Sequence, residues 1–267
     1  VMSWMFAQAS AFNRDLSKWN VGKVTTMAAM FKEASAYNQD ISEWNVRKVI
    51  NMHNMFQNAT SFNQDLSKWN VGQVTDMDNM FKFAHFFNAD LSDWNVEQVT
   101  DMNAMFHQAK SYNEDMSHWS VGKVTNMQAM FSQASVFNQD LSEWDVGQVT
   151  LMNKMFHFAE AFNQDLSKWD VGRVTNMDYM FNGASSFKQV ICGNAWIVSK
   201  ASQKEMFKDS KGVITTRFEP QTRERQAYTT ATEAKQHETL RGKRVLWGKS
   251  YRAVSSSARE PLEILGG

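Results

Sequence analysis

Seven aspartates recur at one fixed interval: Asp15, Asp40, Asp65, Asp90, Asp115, Asp140 and Asp165. Carboxylates repeated in this way could hold calcium, a hard cation that takes oxygen ligands. If the interval is one turn of a stack, neighbours near 5 Å repel by roughly 1 kcal/mol each in water, so something must compensate. The plain compensation is donation from backbone N–H groups and from the hydroxyls of the Ser17 column. Calcium between coils is the alternative, but the glycine-rich turns of calcium-binding β-rolls are missing here.

Other repeated side chains invite chemistry and lose it to their spacing. The Met-x-x-Met pairs, such as Met77 and Met80, resemble a soft-metal surface. Their place beside Phe81 instead suits flexible thioethers filling space between rings. Trp19, Trp44, Trp69, Trp94, Trp119, Trp144 and Trp169 would be a carbohydrate-stacking ladder if exposed. Unbroken recurrence fits a buried spine better. Asn13, Asn38, Asn63, Asn88, Asn113, Asn138 and Asn163 read as an amide ladder, each bonding backbone in its own turn and the next.

No catalytic constellation appears. Of the histidines His53, His85, His107, His118, His157 and His237, only His107 and His157 share a column, and none has metal-ligand spacing. His237-Glu238 lacks the second histidine of a zinc-protease helix, and neither a Gly-x-Ser-x-Gly elbow nor a phosphate loop is present. Cys192, the one cysteine, has no partner for a disulfide within the chain and reads as a buried cap residue. The expectation is a non-enzymatic chain with no cofactor.

The element that positions these columns is the repeat itself. A period of 25 means one supersecondary unit stacked many times. Within it Met27, Met30, Phe31 and Ala34 fall at i, i+3, i+4 and i+7, the stripe of a short amphipathic helix. Thr26, Asn51, Asp76, Asp101, Asn126 and Asn176 precede the stripe and offer N-cap chemistry. The stretch from Phe12 to Val21 suits a short strand in a parallel sheet along the stack. The fold class expected is therefore an α/β solenoid of strand-plus-helix coils, about 40 Å long at the spacing of strands. Positions 18, 22, 23, 28, 32 and 33 vary between copies, so a specific partner must read that set.

The domain reading is a repeat solenoid over 1–191, a degenerate cap coil over 192–212 and a basic extension over 213–267. The eighth copy decays, with Val190 and Cys192 where Asp and Ser belong, and Ser202 to Glu205 forms a capping-box pattern before Met206. Residues 196–267 hold 14 Lys+Arg and 8 Asp+Glu, a net of +6, leaving 14 against 20, or −6, for residues 1–195. A basic extension on an acidic body suggests a contact with an acidic surface, its own or a partner's. Candidate partner-binding residues there are Arg241, Lys243, Arg244, Trp247 and Tyr251, with a helix expected over 229–241. No nucleic-acid signature is present, and no apolar run approaches the ~20 residues of a transmembrane helix. The chain opens in the second half of a repeat, which suggests a processed or incomplete form of a longer precursor.

The phrase from Phe62-Asn63-Gln64-Asp65-Leu66-Ser67 through Trp69-Asn70-Val71, Val74-Thr75-Asp76-Met77 and Met80-Phe81 resembles the surface-protein repeat of the BspA-like leucine-rich-repeat group, found in mycoplasma lipoproteins. The resemblance covers residues 1–191. It implies a leucine-rich-repeat-like solenoid without enzymatic activity, often a cell-surface adhesin. Two functions follow as expectations. One is a protein-interaction scaffold, a structural or accessory subunit of a larger assembly whose other subunits meet the extension. The other is a surface adhesin or recognition protein for protein or glycan ligands. The resemblance implies the cell surface; an organelle is the alternative for an assembly subunit if the chain is a processed precursor.

Overall fold

The computed structural model describes residues 1–216. Their architecture follows from where the backbone hydrogen bonds go, because every buried N–H and C=O needs a partner. Over 77–84 they run in two directions. The N–H groups of Met77, Asn79, Phe81 and Phe83 donate to the carbonyls of Asp101, Asn103, Met105 and His107 in the next coil. The N–H groups of Met80, Lys82 and Ala84 donate back to the carbonyls of Met77, Asn79 and Phe81, closing overlapping turns. Alternate peptides thus bond along the stack and within the coil. The same pattern recurs from Trp4 to Lys208.

The helix expected over 27–34 and its equivalents is not formed, and neither is the strand between Phe12 and Val21. Among the described residues the named elements are β1 (Val190–Ile191), α1 (Asn194–Ile197) and β2 (Val213–Ile214). The physical reason is spacing. A helix is about 10 Å across, whereas β-spaced coils lie about 4.8 Å apart. A turn ladder keeps one spacing all round the coil. It also buries the same stripe that a helix would, since Met27, Met30, Phe31 and Ala34 are fully buried. The ladder places Ala29, Glu33 and their equivalents at positive φ, 61° at Glu33. Asn54, Asn58 and Asn79 suit that region. Ala104, Phe83 and Gln133 adopt it at a cost of about 1–2 kcal/mol each.

The rest of each coil is also turns. Asp90 Oδ1 accepts from the N–H of Ser92, Trp94 N–H donates to the Leu91 carbonyl, and Asn95 Oδ1 accepts from the N–H of Glu97. Val99 N–H then donates to the Val96 carbonyl. Isolated parallel bridges tie the column Thr26, Asn51, Asp76, Asp101, Asn126, Leu151, Asn176 and Ser202. The polar members of this column, read as helix caps, instead make turns of their own: Asp101 Oδ1 accepts from Asn103 N–H at 2.8 Å.

Core rings stack down the axis. Phe81 and Phe106 lie 5.6 Å apart and within 12° of parallel, and Trp94 and Trp119 lie 6.4 Å apart at 5°. Both separations exceed the backbone spacing, so the rings are slipped, as their quadrupoles prefer. Each buried indole needs an acceptor, and Trp94 Nε1 donates to the Leu66 carbonyl at 3.0 Å.

The decaying copy keeps this last bond. Trp196, on α1, donates Nε1 to the Leu166 carbonyl at 2.9 Å and takes the next place in the tryptophan column. Gly193 makes the detour feasible, because a Cβ there would stand 1.9 Å from the Ser167 carbonyl oxygen. Met206 and Phe207 continue the ladder, with Phe207 stacked 5.5 Å from Phe181. The capping-box residue Ser202 bonds Asp178 rather than its own turn. Beyond them β2 pairs in parallel with β1, Val190 with Val213, so residues 213 and 214 belong to the closing coil.

Candidate functional site

The aspartate column lies on the surface. Asp65 Oδ1 accepts from the N–H of Ser67 at 2.8 Å, and each of its equivalents does the same with its own serine. That bond and the Ser67 hydroxyl hold the Asp65 carboxyl below its ordinary range. Backbone N–H groups are thus partners along the whole column, joined by the serine hydroxyl at Asp15, Asp40, Asp65 and Asp115. Among the described residues no group of three or more His, Cys, Asp or Glu side chains stands close enough to hold a metal ion.

The tryptophan rings do not form a surface ladder. Trp44 to Trp169 are at most 3% exposed, and Trp19 alone reaches 37%. The asparagine column is the amide ladder expected from its recurrence. Asn88 Oδ1 accepts from the Asn113 N–H, and Asn113 Oδ1 from the Asn138 N–H, each at 2.8 Å. Arg241, Lys243, Arg244, Trp247 and Tyr251, and the helix expected over 229–241, lie outside the described residues.

What the structure brings together, and the sequence pattern did not single out, is a cluster on the outer side of the turn ladder. One column runs Lys82, His107, Ser132, His157 in successive coils; another runs Asn79, Ala104, Ala129, Lys154. The backbone bonds between coils hold members of a column one above another. Ala104, Ala129 and Ser132 are small, so they leave a hollow of about 280 Å³. Lys82, Lys154, His107, His157 and the amides of Asn103, Gln128 and Gln133 also line it, with no carboxylate. Reading the 32 column across copies, rather than judging each histidine alone, would have found it.

Burial, and then the nearby Lys82 charge, push the His107 imidazole down to about 4. Burial, then Lys154, lowers His157. Nδ1 of His107 is buried and lacks a hydrogen-bond partner. Aromatic rings flank the hollow: the Lys82 ammonium lies 5.5 Å over Phe83, and Lys154 lies 5.8 Å over Tyr179. Phe83 meets His107 edge-on at 5.2 Å, and Phe158 meets His157 at 4.5 Å. Phe86 and Phe158 are exposed. On the same side, Asp78 accepts from Asn79 and from Asn103 of the lining and pairs with His53 at 2.8 Å.

The chain matches the family described as "Mycoplasma protein of unknown function, DUF285" over residues 1–119 and again over 111–217, and it belongs to that family. No curated protein matches it. No helix of the described residues is long and apolar enough to cross a membrane.

Proposed function

We propose that this chain is a non-enzymatic repeat scaffold, a leucine-rich-repeat-like solenoid related to the BspA-like group, that serves as a structural or accessory subunit in a larger protein assembly. One observation carries the reading: the repeated polar side chains are spent on joining coil to coil and on closing turns. Asparagine amides, aspartate carboxylates and indole N–H groups all end on backbone. Reactive side-chain types therefore serve cohesion, and recognition falls to the variable columns and the basic extension.

A second reading, a cell-surface adhesin binding protein or glycan, is favoured by the resemblance of the repeat to that of surface proteins and by the exposed Phe86 and Phe158. Gentle purification from the native source, followed by mass analysis of the intact particle, separates the two. Stoichiometric protein partners support the scaffold. A free monomer overturns it in favour of the adhesin.

A further inference from the structure

We propose that the hollow bounded by Lys82, His107, Ser132 and Lys154 is a binding site for an oxyanion, a sulfate or phosphate group carried by a ligand that lies across the turn ladder. The inference goes beyond the scaffold reading and does not depend on it.

Three features point to an anion. Residues 1–195 carry a net charge of −6, from 14 basic and 20 acidic residues, yet this hollow is lined by two lysines and no carboxylate. Neither Lys82 nor Lys154 takes part in any ion pair among the described residues, whereas Lys68 and Lys168 pair with Glu43 and Glu143. Both ammonium groups instead rest over aromatic rings, which leaves their N–H donors free for a second partner. Finally, Ser132 and the Gln128 and Gln133 amides supply neutral donors beside the cations.

The donor set favours a tetrahedral oxyanion over a carboxylate. Two ammonium charges face one hollow, and a sulfate or phosphate brings up to two negative charges where a carboxylate brings one. Lysines act as point charges and accept many approach directions. The flanking rings of Phe83 and Phe158 would lie against whatever carries the group.

The test is titration of the full chain with sodium sulfate, sodium phosphate and sodium acetate at constant ionic strength, followed by NMR of the imidazole and lysine side chains. Saturable shifts at His107 and His157 with sulfate or phosphate, and at least tenfold weaker binding of acetate, are expected. The K82Q/K154Q double variant should lose at least tenfold in that affinity. K23Q/K48Q, which removes equal charge from a column outside the hollow, should not change it. Sulfate and phosphate differing by more than tenfold would name the group. Linear, unsaturating shifts, or equal loss in both double variants, would overturn the site and leave only general charge screening. Unchanged dispersion of the core methionine methyl signals confirms that both variants are folded.

Discussion

The inside and the outside of the turn ladder follow opposite rules within one short segment, 77–84. Inward positions hold Met77, Met80, Phe81 and Ala84, and the equivalent residues in the neighbouring coils are the same types. Outward positions change from coil to coil: Lys82, His107, Ser132, His157 in one column and Asn79, Ala104, Ala129, Lys154 in another. A ring stacked on its own copy above and below allows no change of volume, because interiors are packed as densely as organic crystals. Side chains on the outer face range from the buried Ser132 and Ala104 to the exposed Lys154, and meet solvent and their column neighbours in varying shares. Identity is imposed where packing decides, and local composition is free where a ligand would be met.

The largest effect should come from breaking the inside. Trp94→Ala removes a buried ring and leaves the Leu66 carbonyl without its donor. It should cost about 3–5 kcal/mol in urea unfolding. A loss below about 1 kcal/mol would show the column to be exposed and would restore the stacking-ladder idea for glycans.

Backbone geometry sharpens the comparison next. Gly183 sits at φ 71°, and a Cβ there would come within 2.4 Å of the Phe158 ring. Gly183→Ala should therefore destabilise by about 1–2 kcal/mol, the cost of a left-handed alanine less glycine's unfolded-state entropy, with displacement of the Phe158 ring added. Ala129 sits at φ 53°, at the other left-handed position of the ladder. Ala129→Gly should stabilise the chain, by about 0.5–1 kcal/mol after glycine's larger unfolded-state entropy is deducted. In a helix both signs would reverse, because alanine is preferred to glycine there. Urea unfolding of the two variants therefore separates turns from helix.

Acid provides a smaller test. His107 has a folded pKa lowered from 6.5 to about 4, so between those values the unfolded chain binds a proton that the folded chain refuses. Stability must then fall as pH drops through that window. His107→Gln should flatten that limb of a stability–pH curve measured by urea denaturation. The K82Q/K154Q substitution should change stability least, within about 0.5 kcal/mol, because both side chains lie on the surface.

Much of the interior is legible in the sequence, and the reason is local. Strict recurrence of Trp94, Met77, Met80 and Phe81 in every full copy tells which side chains face in, whatever the backbone does between them. The backbone is not legible in the same way, because i, i+3, i+4 and i+7 burial is shared by a helix and by overlapping turns that bond to the next coil. Nothing within one repeat reveals that partner, which lies in the following copy. Tolerance of left-handed φ at Asn54 and Asn79 is the available hint, masked by Ala104, Ala129 and Lys154 at the same positions. Trp196 escapes a reading by period because it stands out of register with Trp169, and only the bond to Leu166 shows that it fills the column. The cationic hollow is hidden for a similar reason. Its members come from successive coils and meet only because small residues at 104, 129 and 132 leave room.

The most direct test of a stack of turns is the partner of a single amide. Scalar coupling across hydrogen bonds, measured by NMR on deuterated protein, reads it from the nitrogen of Phe81. A stack of turns places the coupled carbonyl at Met105, in the next coil, 2.9 Å from that nitrogen. Coupling to the carbonyl of Met77, within the same coil, would mean an α-helix and would contradict the account.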